Sequence, residues 1–455
     1  MRDQIFSLPP ELISQIVSYI DPIAEKASLA HLALTSRRFR ALVTPALYHT
    51  VTVCKQRGPY QFEAFLCTVL SSPDDIAPLV REFRVDGCPS IDRPQLLLTL
   101  VLRSRPQDLL VLAWETVVVR RVDERDDGNG YWGQYFVVLA ALLLPRLTTL
   151  YCADFNGAGS PDGLATLMGI ADRLAPEPGS VAPFWKELTD IKLNGPVPIA
   201  CFATLWSSIK SIYSAGYANC DEGLLPVFDS LAPASSSLEV LELGPWSQPN
   251  HQNLDAMLKA PRALNTFRYD MGNPWTYFPL RTDVLQQSLE YQKHALQEVS
   301  IIHRHCRFSP DEEFEPMSFA ALSSLRVLEI SLRCVFAKCY VCFDEGLDRL
   351  HARRADGCAH RLLAEMLPAS IETVRFAQCG GQADVRLLDN ALLRMLEVRD
   401  ERIPRLRAIE VHVDQDVGGK PSLTLAIFWE IASGRLRLRG SVLKWFLAVI
   451  SRPST

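Results

Sequence analysis

One short phrase recurs along most of this chain and limits its fold more than any other feature: apolar, two residues, apolar, one residue, apolar. It stands at Val80/Phe83/Val85, Leu109/Leu112/Trp114, Leu147/Leu150/Cys152, Leu188/Ile191/Leu193, Ile209/Ile212/Tyr213 and Leu238/Leu241/Leu243. It continues at Leu264/Phe267/Tyr269, Leu296/Val299/Ile301, Leu325/Leu328/Ile330, Ile371/Val374/Phe376 and Leu406/Ile409/Val411. Spacings run from 21 residues (Leu188 to Ile209) to 46 (Leu325 to Ile371). In the Ile209 unit the third apolar residue falls one place early. The last two apolar positions alternate as a short strand does, and the first anchors the turn leading into it. Helical stretches are predicted between strands, at Gly163 to Leu174, Asp283 to His294 and Arg386 to Val398. Units of strand and helix stack into a solenoid with a curved parallel sheet. An irregular α/β domain whose strands follow leucine turns is the other architecture that the phrase permits.

A chain of 455 residues is too long for one ordinary core, which agrees with a repeat array or several domains. With 48% hydrophobic and 22% charged residues the composition is that of a globular protein. A net charge of −5 argues against a general grip on nucleic acid. The longest apolar run, Tyr135 to Leu144, is about half of what a bilayer crossing needs, so no membrane partner is expected. The N-terminus meets Pro9 and Pro10 without the unbroken apolar stretch of a signal peptide. Twelve scattered cysteines then suggest reduced thiols and a cytoplasmic or nuclear residence.

The first fifty residues read differently. Leu12, Ile16 and Ile20 recur every four residues, with Ile13 and Val17 widening the stripe, and Pro22 ends the helix near Ile20. A second helix is predicted over about Ala24 to Leu34, with Leu29, Leu32 and Ala33 inward. Thr35-Ser36 then caps a short basic helix carrying Phe39, Leu42 and Val43, which Pro45 closes, and Thr50 to Val53 is extended. Three short helices bury little, so the block is expected to gain stability on a partner.

The order Leu8-Pro9-x-Glu11-Leu12-Ile13-x-x-Ile16, Tyr19-Ile20-Asp21-Pro22, Leu32 to Arg40 and Pro45-Ala46-Leu47-Tyr48 resembles an F-box, in that motif's order and spacing. The exit Pro-Ala-Leu-Tyr-His-Thr-Val is similar to that of fungal members. The resemblance implies docking on Skp1 through Leu8, Pro9, Leu12, Ile13, Ile16, Ile20, Leu32 and Phe39, and through Skp1 on a cullin. The later phrase resembles divergent leucine-rich repeats, a frequent companion of the F-box, although the asparagine that often follows it is mostly missing; Asn194 is one candidate. The expected fold is α/β: a three-helix F-box over 1–50, then a degenerate leucine-rich-repeat solenoid over 55–455. From about residue 420 a cap is expected, with a strand at Arg435 to Arg439 and a helix at Val442 to Ile450. A membrane-surface helix is the alternative for that last segment, poorly supported by its single Lys444.

Catalytic motifs are missing. Gly418-Gly419-Lys420 continues into Pro421 rather than a hydroxyl residue, and no H-E-x-x-H or G-x-S-x-G occurs. Cys334, Cys339, Cys342, His351, Cys358 and His360 fall inside the longest gap between phrases. Cys339 and Cys342 have a separation that suits one tetrahedral zinc, with Cys358 and His360 to complete it. The Cys-x-His pair departs from the usual spacing, and strand core is the other reading of Cys339 to Phe343. No cofactor is expected. The basic run His303 to Arg307 suits a solenoid rim or a solvated turn. These features imply a non-enzymatic adaptor of a Skp1–cullin–F-box ubiquitin ligase, with the repeats holding an unknown protein substrate. The alternatives are a Skp1-bound structural protein that delivers no substrate and, less simply, an enzyme hidden near the cysteine cluster.

Overall fold

The computed structural model describes residues 8–21, 24–54, 59–87, 136–153 (without 138), 185–194, 207–215, 232–245, 249–270, 282–302, 317–335, 363–377, 392, 395, 398–413, 423–430 and 435–439. The phrase at Leu109, the helix at Gly163 to Leu174, most of Arg386 to Val398, the basic run at His303 and the segment Val442 to Ile450 lie outside them. The chain forms two compact units, Met1–Ser214 and Ala215–Thr455.

The first unit opens with three helices, α1 (Pro10–Ser18), α2 (Lys26–Thr35) and α3 (Arg37–His49). Pro10 sits at the first position of α1, where its missing N–H leaves nothing unpaired. Ile13, Val17, Leu29, Ala33, Phe39 and Val43 are buried and form the core of this block. Ser36 caps α3 by accepting the Phe39 N–H at 3.1 Å.

Pro45 does not close the third helix, which runs through it to His49. A proline costs the helix one backbone hydrogen bond, but Val43 on one side and the partly buried Ala46 and Leu47 on the other are tied to the core. Thr44 Oγ1 donates to the Arg40 carbonyl at 2.6 Å, a bond that accompanies bending. Burial on both sides outweighs the local preference.

Helix α3 passes straight into β1 (Thr50–Cys54), then α4 (Pro59–Ser71) and β2 (Glu82–Asp86). Strands β3 (Thr149–Ala153), β4 (Asp190–Asn194) and β5 (Ser211–Ser214) follow, each parallel to the one before. In the second unit β6 (Val240–Leu243), α5 (His251–Lys259), β7 (Thr266–Asp270), α6 (Thr282–Glu290), β8 (Glu298–Ile302), β9 (Val327–Ser331), β10 (Thr373–Ala377) and β11 (Ala408–Val413) repeat the theme. Strands β6 to β11 are again parallel. The hairpin β12 (Leu423–Glu430) and β13 (Arg435–Arg439) then adds antiparallel to β11.

Every described copy of the phrase lies on a strand and the turn before it. Val80, Phe83 and Val85 are fully buried, as are Leu188, Ile191 and Leu193 and, in the second unit, Leu296, Val299 and Ile301. The registers place equivalent positions side by side, Val299 opposite Leu328 and Val374 opposite Ile409, so each layer of core continues into the next. The Ile209 copy is the exception. Its third inward position is Ser214, fully buried, while Tyr213 points to the other face. Strand alternation decides this: two residues after Ile212 face the core, whatever their polarity. The helix predicted over Asp283 to His294 ends at Glu290, because Tyr291 and Gln292 tighten into i→i−3 bonds to Ser288 and Leu289 that turn Gln292 inward.

Candidate partner-docking face

Helix α1 has two apolar sides. Ile13 and Val17 face the block's core, 2% and 4% exposed, whereas Leu12, Ile16 and Tyr19 are 45%, 51% and 81% exposed. Spacings of four and three residues put the exposed set on one stripe. Leu34 near the end of α2 is 73% exposed. Leu8, Ile20 and Leu32 are partly buried against the core, and Pro9 is exposed at the entrance to α1. Arg38 holds that entrance by donating to the Leu8 carbonyl at 2.6 Å.

The eight residues singled out for docking therefore fall into two sets. Pro9, Leu12 and Ile16 are open to solvent, with Leu8, Ile20 and Leu32 at their margin, while Ile13 and Phe39 are core. The exposed Tyr19 and Leu34 were not among them. The alternation of Leu12-Ile13 and Ile16-Val17 shows that two faces exist, but only packing tells which one the block keeps for itself.

Across β6 to β11 the outward face of the second unit's sheet is polar. Arg268 on β7 donates to Glu242 on β6 at 3.0 Å and to Glu298 on β8 at 2.8 Å. Ser300 donates to Glu329 at 2.7 Å, and Arg375 to Glu410 at 2.8 Å. These pairs link neighbouring strands at their middle positions. At the strand entrances Arg326 pairs with Glu372 at 2.8 Å. The hydrogen bond from Arg326 is the main reason that the Glu372 carboxyl titrates below the ordinary carboxylate range. Of the cysteine cluster only Cys334 is described, buried in the short helix Leu332–Val335 that follows β9; the zinc candidates Cys339, Cys342, Cys358 and His360 lie outside the described residues.

Residues 5–54 match the family model F-box-like. The chain thus couples an F-box-like domain to a leucine-rich-repeat-like array of parallel strands. No curated protein matches it in sequence. Among solved structures it is similar to a chain in the crystal structure of the Rad7 and Elc1 complex in yeast, with 14% identity and a TM-score of 0.34 over 94% of this chain and 93% of that one.

Proposed function

We propose that this protein is the substrate-selecting adaptor of a Skp1–cullin–F-box ubiquitin ligase. The observation that carries the reading is the unpartnered stripe Leu12, Ile16 and Tyr19 on a domain that matches the F-box-like family. Three large apolar side chains open to water on one short helix and its C-cap are costly alone and favourable under a partner. Leu8, Pro9, Leu12, Ile16, Ile20 and Leu32 would meet Skp1, with Tyr19 and Leu34 added. Ile13 and Phe39 would act from beneath by holding the helices in place.

The repeat array would present a protein substrate, and the mechanism is proximity: a bound target raises the effective concentration of its lysines near the transferring enzyme. No bond-making step is assigned to this chain. Among the described residues no helix is long and apolar enough to cross a membrane, and residence in cytoplasm or nucleus belongs to the same proposal.

The test is co-purification with Skp1. Leu12→Ala and Ile16→Ala should each weaken capture about tenfold, as truncation of a buried anchor residue does, with the circular dichroism spectrum unchanged. An intact, folded chain that captures no Skp1 would sink the reading.

A further inference from the structure

The turns that lead into the last parallel strands of the second unit carry a charge pattern that the F-box reading does not use. Immediately before β9, β10 and β11 stand Arg326, Glu372 and Arg407. They lie side by side: the Arg326 carbonyl accepts the Glu372 N–H, and the Glu372 carbonyl accepts the Arg407 N–H, both at 2.8 Å. Arg326 grips both oxygens of the Glu372 carboxylate, with Nε at 2.8 Å and Nη2 at 3.2 Å. That fork balances the acid of the row. Arg405 sits two residues before Arg407, with the buried Leu406 between them, and both arginines are exposed. Among the described residues neither of these two side chains has a hydrogen bond or an ion pair. They act on Glu372 only through space, adding to the Arg326 hydrogen bond that chiefly lowers its carboxyl. On the same turn Asp400 already accepts from Arg399 at 3.1 Å, and Glu401 and Arg402 offset each other in charge. The rim thus keeps a positive surplus at Arg405 and Arg407, on a chain whose net charge is −5.

The ground beside these arginines is low. Ser324 and Ser370 hold, in the turns before β9 and β10, the place that Arg405 holds before β11. Their hydroxyls donate to backbone carbonyls of the neighbouring turn, to His294 at 2.7 Å and to Leu325 at 2.8 Å. On the sheet just beyond the rim the sign reverses: Glu329 and Glu410 stand three residues after Arg326 and Arg407. A long polyanion such as nucleic acid would run over those acids, whereas a short acidic stretch can stay on the rim.

We infer that this rim binds a short acidic segment of a partner protein, with Asp or Glu carboxylates on Arg405 and Arg407. Two residues apart on the run into β11, the arginines have Cα atoms about 6–7 Å apart, the spacing of alternate residues in an extended partner. A guanidinium fork matches a carboxylate in shape, as Arg326 and Glu372 already show one turn away. Because the rim is open to water, the binding weakens as salt is raised. The inference rests on the adaptor reading only in taking the partner to be the ligase substrate; the contact itself is measured without Skp1.

The experiment uses the full chain and N-terminally labelled octapeptides of alternating Glu and Ser, with Gln or Lys in place of Glu as comparisons, followed by fluorescence anisotropy at low salt. The Glu peptide should bind about tenfold tighter than the Gln peptide, the value of one charge-assisted contact. Arg405→Gln together with Arg407→Gln should erase that difference, and Arg405→Glu together with Arg407→Glu should move the preference to the Lys peptide. Lys186→Gln, which removes an exposed cation from the first unit, should change nothing. Circular dichroism checks each variant's fold. Equal binding of the Glu and Gln peptides would overturn the inference. So would a loss in Lys186→Gln as large as in the arginine pair, or a folded charge-reversed chain with no gain for the Lys peptide. A phosphoserine peptide or a labelled oligonucleotide that binds where the Glu peptide does not would overturn the choice of occupant. Capture of Skp1 should be the same in the arginine variants as in the intact chain. Peptide selectivity absent while Skp1 is captured sinks this inference alone, and the converse sinks the adaptor reading alone.

Discussion

Gln292 is 3% exposed, yet its amide has good reason to be inside. Its Nε2 donates to the carbonyls of Leu258 and Pro261 at 2.9 and 2.8 Å, and its Oε1 accepts the Leu264 N–H at 3.0 Å. One side chain thereby pairs three buried backbone groups at the turn into β7. Gln292→Ala leaves all three unpaired and should cost about 2–4 kcal/mol, read as a lower denaturation midpoint of the second unit. A loss within the error of the measurement would show that water replaces the amide. At the surface, Glu372 provides a pH signature. Its folded pKa lies below the unfolded one, so the pairing with Arg326 contributes fully above the ordinary carboxylate range. The contribution disappears as pH falls from that range through the lowered folded value. Arg326→Ala should move the Glu372 titration upward in carboxyl NMR; an unmoved curve would mean that the hydrogen bond does not form in solution.

At the scale of elements, α3 shows both a satisfied rule and a broken one. Ser36 at its N-cap obeys the sequence expectation, and Ser36→Ala should cost about 1 kcal/mol and speed amide exchange in the first turn. Unchanged exchange at Phe39 would refute that assignment. Pro45 breaks the expectation because local backbone preference alone would end the helix there, while the burial of Leu47 and its neighbours carries it on. The same division explains what was legible elsewhere. Nine of the ten described copies of the phrase were readable in full because a strand's period of two leaves little choice once two apolar positions are fixed. Ser214 was not readable, since its slot is defined by geometry and filled by a polar residue. Nor was β12: Leu423 to Glu430 pairs antiparallel on β11, and the phrase that marks the parallel strands is missing from it. For the docking face, the sequence showed that α1 has two apolar sides; only packing assigned Ile13 inward and Leu12 outward.

At the scale of the molecule, a parallel array must end somewhere. In the second unit it ends with the β12–β13 hairpin. Without that hairpin β11 would offer a row of unpaired backbone groups and an apolar layer, the usual start of aggregation. Truncation after Val413 should give an aggregating product on size-exclusion chromatography at concentrations where the full chain does not aggregate. A truncated chain that elutes as the full one does would show that the hairpin is dispensable.

The direct passage from His49 in α3 to Thr50 in β1 has a consequence for how such a chain can change length. A helix advances by about 100° per residue and a strand by 180°. One residue inserted at that junction would move Thr50 and Thr52 to the face that Val51 and Val53 now fill and the valines to the opposite face, or else twist the helical block against the sheet. The junction behaves as a phase lock, open to substitution but closed to insertion. Growth is left to the stretches between strands, where the spacing of the phrase already ranges from 21 to 46 residues.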